Sequence, residues 1–374
     1  MSDEVSVALV GCGIIAYNHA NAIARIPGLT ITALIDVNEA ASSFLAHYIT
    51  SLDEPTPTTF GSLGSALEAG VIDLVVICAP SGLHVSLAAE ALAAGCNVVI
   101  EKPLDVSLPR ARQIAALAEA GEARGLVVTV ISQHRFDPAS VVVHDAVTAG
   151  VFGRLTSGIA TVAWWRGQAY YDSADWRGTW ELDGGGAALN QGVHTIDLLL
   201  WMFGAPLSVS AQTALLAHDR IEVEDTLAAT VTFESGALAV ILATTAAYPE
   251  LGTRLQVHGV LGSAVIENDQ LQYFHASAFD REGNQASTLV PEEELATSPK
   301  AEDSFIVGHL RQYEDIVGAI REHRAPLVRV ADALLALSVT RALYLSATLG
   351  RSVAVAEVLD GSLDDVAVRT GGGA

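Results

Sequence analysis

Apolar residues recur along this chain with two different rhythms, and the change from one to the other divides it. Up to about residue 134, short β-branched runs alternate with amphipathic segments. The runs are VSVALV (5–10), LTITALID (29–36), VIDLVVICAP (71–80), NVVIEKPL (97–104) and LVVTVISQHR (126–135). Between them lie AYNHANAIARI (16–26), LHVSLAAEALAAG (83–95) and LPRARQIAALAEAGEARG (108–125), whose spacing is helical. Continuous apolar strands separated by helices are what a parallel sheet covered on both faces requires. A doubly wound α/β unit is therefore predicted. Beyond Gly153 the strands alternate in character: LTSGIATVAWW (155–165), DTLAATVTF (225–233), ALAVILATTAA (237–247), RLQVHGV (254–260) and SAVIEN (263–268). FESGAL (233–238) reads as a hairpin turn, and such a sheet would have one face on helices and one open to a partner.

Two domains are the natural division of 374 residues, and they are placed at 1–134 and 135–374. The content of 51% hydrophobic and 17% charged residues suits a globular protein, with the apolar residues dispersed rather than gathered into a bilayer-spanning run. MSDEVSVALVG lacks the basic region of a signal peptide, so a cytoplasmic protein with no membrane partner is expected. A formal charge of -23 would repel a phosphate backbone, which excludes nucleic acid as a partner. Cys12, Cys78 and Cys96 show no CxxC spacing and are expected as buried, reduced thiols. The histidines are dispersed without an HExxH pattern, and no metal site is expected.

The first strand runs directly into Gly11-Cys12-Gly13-Ile14-Ile15-Ala16 and then a helix. In this GxGxxA arrangement Gly11 permits the tight turn, Gly13 lets a pyrophosphate approach the backbone, and Ala16 allows close packing. The helix N-terminus, with Ile14 and Ile15 in its first turn, offers N–H groups to the phosphates. The second strand ends at Asp36, where a carboxylate can accept both ribose hydroxyls, although Asp-Val-Asn would equally start an ordinary turn. No Lys or Arg follows to receive a 2′-phosphate, so NAD is expected in preference to NADP. Three further strand ends are directed at the cofactor: Ala79 and Pro80 with His84, Glu101 with Lys102, and Gln133 with His134 and Arg135. Lysines are usually solvated surface residues, but Lys102 and Lys300 are the only two here. A composition that otherwise chooses arginine has placed at a strand end a compact donor whose pKa can be tuned.

In the second part, the three glycines of GGGAALNQGVHTID (184–197) read as a close-approach turn and the rest as a helix, with Asn190, His194 and Asp197 on one stripe at i, i+4 and i+7. His194 is either a satisfied core histidine or a proton acceptor that Asp197 orients, unless Asp197 is a surface carboxylate. WWRGQAYYDSADWRGTW (164–180) concentrates four of the five tryptophans. It is either a core or oligomer contact, or a substrate loop. In the second case Trp176 would stack on a pyranose face, while Arg166, Tyr171 and Arg177 bond hydroxyls or an acidic group. The acidic stretch PEEELATSPKAED (291–303) reads as a surface segment.

GCGIIA, Glu101-Lys102-Pro103 and Asn190-x-x-x-His194 together resemble the Gfo/Idh/MocA family of sugar and inositol dehydrogenases, over almost the whole chain. The resemblance extends to 305–347, which looks like the family's closing helices. It implies an N-terminal Rossmann doubly wound parallel sheet and a C-terminal α/β domain with an open, mainly antiparallel sheet that builds a homodimer or homotetramer. It also implies that Lys102 contacts the nicotinamide ribose and the substrate hydroxyl, and that His194 is the proton acceptor. Asn190 stands where inositol dehydrogenases carry aspartate. An amide can orient a hydroxyl but cannot take its proton, and the Asn form looks more like the branch acting on pyranose rings. The expected function is NAD-dependent oxidation of a secondary hydroxyl of a sugar, sugar derivative or cyclitol, or the reverse. The alternatives are an NAD-using glycosidase acting by transient oxidation and elimination, and a non-catalytic NAD-binding sensor.

Overall fold

The computed structural model describes residues 4–279 and 282–371. The chain folds as two compact units, Met1–Gln133 with Glu302–Leu334, and His134–Ala301 with Leu335–Ala374.

In the first unit, strands β1 (Val5–Val10), β2 (Leu29–Ile35), β3 (Thr58–Phe60), β4 (Leu74–Ile77), β5 (Asn97–Ile100) and β6 (Val128–Val130) form one sheet in the order β3-β2-β1-β4-β5-β6. Every pairing is parallel. Chain progression reverses between β1 and β4, which leaves their C-terminal ends as the crevice where an open α/β sheet takes its ligand. Val75, Val76, Ile77, Val98, Val99 and Ile100 are fully buried, each side chain contributing about 1.5–3 kcal/mol. The segment Glu302–Leu334, which the sequence places with the second domain, belongs to this unit instead. Its helix Ser304–Glu322 inserts Tyr313, Ile316 and Val317 into the core formed by Val7, Leu9, Ala16 and Ala20, a long-range contact that local periodicity does not reveal.

The second unit holds β7 (Leu155–Ala163), β8 (Pro206–Ala214), β9 (Thr226–Phe233), β10 (Leu238–Thr244), β11 (Gly252–Gly259), β12 (Gly262–Glu267), β13 (Gln270–Ala276) and β14 (Val353–Ala354). Their order is β13-β12-β11-β7-β10-β9-β8-β14. β7 and β10 run parallel and the other pairings are antiparallel. On β10, Ala239, Ile241 and Ala243 are buried while Leu238, Val240 and Leu242 are 56%, 46% and 37% exposed. Helix Val193–Phe203 lies on the buried side, its Phe203 ring stacked on Phe233 of β9. The predicted hairpin joins β9 to β10.

Cys12 and Cys96 are buried, Cys78 is half-buried, and none is in a disulfide. Contrary to the dispersed pattern read from composition, helix Val330–Leu349 is by length and composition apolar enough to cross a bilayer, but most of that apolar stretch is buried, as in a core helix.

Candidate active site

The glycine turn of the first unit is shaped by close approach on one side and open space on the other. Gly11 has φ +94°, and a Cβ there would stand 2.7 Å from the backbone nitrogen of Ala79. Nothing lies within 4 Å of a Cβ at Gly13, which begins helix Ile14–Ala24 with no side-chain cap. Its uncapped N–H groups therefore face a space into which an anion fits. Ile14 beside it is 90% exposed and Ile15 is half-buried. Asp36, half-buried at the end of β2, accepts from Cys12 N and Asn38 N, both at 2.8 Å. The turn-forming role is thus realised, and lone pairs on both oxygens remain for a ribose.

Of the other strand ends, Ala79 is half-buried and Pro80 exposed beside the turn, and Gln133 is buried with an Oε1 that has no hydrogen-bond partner. An orphaned acceptor of this kind fits a site that takes an amide or hydroxyl donor. His84 and Glu101 do not serve as the sequence suggested. The His84 ring is buried, with Nδ1 2.9 Å from the Leu104 carbonyl and Nε2 2.9 Å from the Ala79 carbonyl, so it ties two loops together. Glu101 turns inward to His19, and its Oε2 accepts from the Lys102 backbone N–H at 2.9 Å. The Lys102 side chain is half-buried in the loop after β5.

In the second unit the segment read as one helix is broken. Ala187–Gln191 form a π-turn, Gly192 follows, and the α-helix begins at Val193. The cause is Glu224, which is fully buried and accepts from Gly186 N, Ala188 N and the Tyr344 hydroxyl. Burial outweighs these bonds and pushes the Glu224 carboxyl up to about 7. Gly186 fits because any Cβ there would lie 1.8 Å from the Glu224 carbonyl oxygen. Asn190 and His194 consequently lie on different elements, the π-turn and the α-helix, rather than on one continuous helix. Asn190 spends both amide protons, on Asp183 Oδ1 (2.9 Å) and the Gly185 carbonyl (2.8 Å), so its Oδ1 is the atom left to receive a donor. Asp197 is buried rather than on the surface, and both its oxygens receive the guanidinium of Arg135 at 2.8 and 2.6 Å.

His194 lines a cavity of about 490 Å³ with His134, Trp164, Gln191, Asp269 and Lys300, among others. The His134 and His194 rings meet edge to face at 5.0 Å. His134 Nδ1 is 2.8 Å from Asp137 Oδ2 and 3.2 Å from Asp269 Oδ1, and Lys300 pairs with Asp269. Burial works against a proton on His134, but Asp269 and Asp137 outweigh it and hold the ring above the usual histidine range. A half-buried imidazole in the wall of a cavity lined by both polar and apolar side chains, with a second ring set against it, is of a type that can accept a proton from a hydroxyl. Sequence reasoning placed His134 at the cofactor and missed Gln191, Asp269 and Lys300, which line the cavity with His194, and Asp137, the partner of His134. The scarcity of lysine that singled out Lys102 applied equally to Lys300.

The aromatic segment is only partly available for binding. Tyr171 is buried, its hydroxyl 2.9 Å from Thr245 Oγ1, and burial raises it to about 12. It is a core residue, so the expected bond to a ligand hydroxyl fails. Arg166 stacks over Trp164 and Tyr170, and Arg177 over Tyr170 and the 43% exposed Trp176. Trp164 is the residue of this segment that reaches the cavity wall among those described.

Residues 5–130 match the model of the oxidoreductase family with an NAD-binding Rossmann fold, and residues 141–265 match the GFO/IDH/MocA C-terminal domain. The WlbA dehydrogenase from Chromobacterium violaceum, solved with NADH and UDP-GlcNAcA, is 30% identical with a TM-score of 0.80, covering 94% of this chain and 96% of that one. D-apiose dehydrogenase of Paraburkholderia graminis is 26% identical over 92% of this chain and 88% of its own length. The uncharacterized oxidoreductase YdgJ of Escherichia coli is 29% identical, but the match spans 58% of each chain. The chain belongs to the Gfo/Idh/MocA family of NAD-binding oxidoreductases.

Proposed function

We propose that the protein is an NAD-dependent dehydrogenase that interconverts a secondary hydroxyl and a ketone on a sugar, sugar derivative or cyclitol. The observation that carries this is His194 in the wall of a cavity of mixed polar and apolar lining, large enough for a single sugar ring, in a chain whose other unit has the open glycine turn and Asp36. Gly11, Gly13, Ile14, Ile15, Asp36, Ala79, Pro80 and Gln133 would hold the dinucleotide. When bound, NAD supplies the hydride acceptor for oxidation and, reduced, the donor for the reverse. His194 takes the hydroxyl proton as the carbon is oxidised. The Lys102 ammonium is suited to stabilise negative charge on a substrate oxygen. Asn190 Oδ1 accepts from a neighbouring hydroxyl and fixes the ring, a task that needs no carboxylate. Trp164 and Trp176 offer flat surfaces for the apolar face of a pyranose, with Arg166 and Arg177 held behind them by stacking. The exposed Leu238, Val240 and Leu242 of β10 support assembly as a homodimer or homotetramer.

The test is to incubate the protein with NAD and a panel of pyranoses and inositols while following reduced cofactor by absorbance. Reduced cofactor should accumulate in proportion to ketone. Tight NAD binding with no turnover of any substrate would reject the dehydrogenase reading, and glycoside cleavage without accumulation of reduced cofactor would replace it with transient oxidation and elimination.

A further inference from the structure

Glu101 is not needed by the mechanism above, yet it sits at the centre of a buried polar network of the first unit. Its Oε1 is 2.8 Å from His19 Nε2, and its Oε2 accepts from the Lys102 backbone N–H at 2.9 Å. His19 Nδ1 is in turn 2.6 Å from the Tyr313 hydroxyl. His19, Tyr313 and His309 are 0%, 0% and 1% exposed. Three separate segments meet here: the helix that begins at the glycine turn, the loop after β5, and helix Ser304–Glu322.

The directions of these bonds are fixed by the groups themselves. Burial alone would raise the Glu101 carboxyl, but the hydrogen bond it accepts from His19 holds it well below the usual carboxylate range, so it is an anion and an acceptor. His19 must then carry its proton on Nε2. That leaves Nδ1 as an acceptor for Tyr313, whose hydroxyl burial pushes far above its ordinary range and keeps protonated. The chain therefore runs one way, from Tyr313 O–H to His19 to Glu101, and meets the Lys102 N–H coming from the other side. His309 stands beside it, donating from Nδ1 to the Phe305 carbonyl at 2.9 Å. Its buried Nε2 has no partner and faces Glu101 Oε1 at 3.7 Å. His19, Glu101 and His309 could be imagined around a cation. A zinc-sized ion at about 2.0–2.1 Å from each tetrahedral ligand would hold those atoms roughly 3.3 Å apart. The 2.8 Å spacing of His19 Nε2 and Glu101 Oε1 is that of a shared proton.

We propose that Glu101 is a positioning residue for Lys102, held by the Tyr313–His19 chain so that the lysine loop is locked to the helix that starts at the glycine turn. This rests on the reading of Lys102 as a catalytic residue. An ammonium that stabilises a developing charge must be aimed before reaction, because orienting it during reaction forfeits the benefit. Lys102 has a flexible four-carbon stem, so its aim depends on how well its own backbone is pinned. Pro103 follows it, and the pin at the Lys102 N–H comes from a carboxylate that cannot itself turn without breaking with His19.

The chain has only Lys102 and Lys300 as lysines, which makes Lys102 separately measurable. In the full-length protein loaded with NAD, Glu101→Gln and His19→Ala should each lower kcat about tenfold or more, with the affinity for NADH, from fluorescence titration, changed less than threefold. His19→Gln, whose amide can donate to Glu101 as Nε2 does, should recover most of the loss. The rate at which acetic anhydride acetylates Lys102, followed by mass spectrometry against Lys300 in the same sample, should change at least threefold in Glu101→Gln and stay constant in His194→Ala. In Lys102→Met the additional Glu101→Gln change should cost nothing further, because two residues acting through one group are not additive. A full additional loss in the double variant, an unchanged Lys102 acetylation rate, or a stoichiometric bound metal would each overturn the positioning role. Near-normal turnover by Lys102→Met alone would instead reject the catalytic reading on which it rests.

Discussion

At the scale of single residues, the roles separate by which atoms are already spent. Glu101, His84 and Tyr171 have their polar atoms engaged inside the protein. Lys102 and His194 are half-buried, and His194 lines the cavity of the second unit. We expect His194→Ala and Lys102→Ala each to reduce kcat by on the order of 10²-fold or more, the usual loss when a positioned proton-transfer or charge-stabilising group is removed. Steady-state kinetics on any substrate found by the panel decides this, and near-normal rates in both variants would end the assignment. Asp36 carries a second prediction. Its two oxygens are fixed by backbone N–H groups, so it presents an oriented negative charge that favours ribose hydroxyls and repels a 2′-phosphate. Removing one charge-assisted hydrogen-bonding group costs about 1.5–3 kcal/mol, so Asp36→Ala should erode the preference of kcat/KM for NAD over NADP by roughly 10- to 100-fold. An unchanged ratio would mean that something else selects the cofactor.

At the scale of elements, periodicity was legible wherever neighbours in sequence decide the structure, and it failed where a distant residue intervenes. The strands of the first unit and the glycine turn follow from apolar runs and a spacing rule, so Gly11, Gly13 and Asp36 could be named in advance. The segment 184–197 has helical periodicity, yet it turns as a π-helix because Glu224, far along the chain, takes the N–H groups of Gly186 and Ala188. Nothing local in GGGAALNQGVHTID encodes that partner. The grouping of His134 with Asp137, Asp269 and Lys300 likewise joins residues from three segments, and only Asp137 lies close enough in sequence to have been suspected. Glu224 also gives the element a pH signature. Its carboxyl stands near 7 in the folded protein and near 4.3 when unfolded, so the folded state binds more protons between these values. Stability should therefore fall as pH rises from about 4 to 7 and then level off. Glu224→Gln, which cannot ionise, should flatten that part of the profile. Urea denaturation at several pH values compares the slopes directly, and parallel slopes in the two proteins would show that Glu224 does not titrate in this window.

At the scale of the whole molecule, the second sheet leaves one face without a covering element among the described residues of its unit. On β10 the alternation holds from Leu238 to Ala243, with Ala239, Ile241 and Ala243 inward and Leu238, Val240 and Leu242 outward. A solvated face would place Thr, Lys or Glu at such positions, as β9 does in part with Thr230 and Thr232. Three large apolar side chains in register on a central strand are what a contact between copies would cover. The protein should then sediment at twice or four times its 39.0 kDa chain mass. Val240→Glu separates this explanation from simple tolerance of exposed apolar surface. On a free face the added carboxylate stays hydrated and changes stability by no more than about 0.5 kcal/mol. In a contact between copies it would be stripped of water opposite its own symmetry mate, at a cost of several kcal/mol. The variant should therefore sediment as a single chain with NADH affinity retained, because Gly11, Gly13 and Asp36 lie in the other unit. If the unmodified protein sediments at 39.0 kDa, or if Val240→Glu leaves a larger assembly intact, β10 is not the contact and its apolar ridge needs another cause.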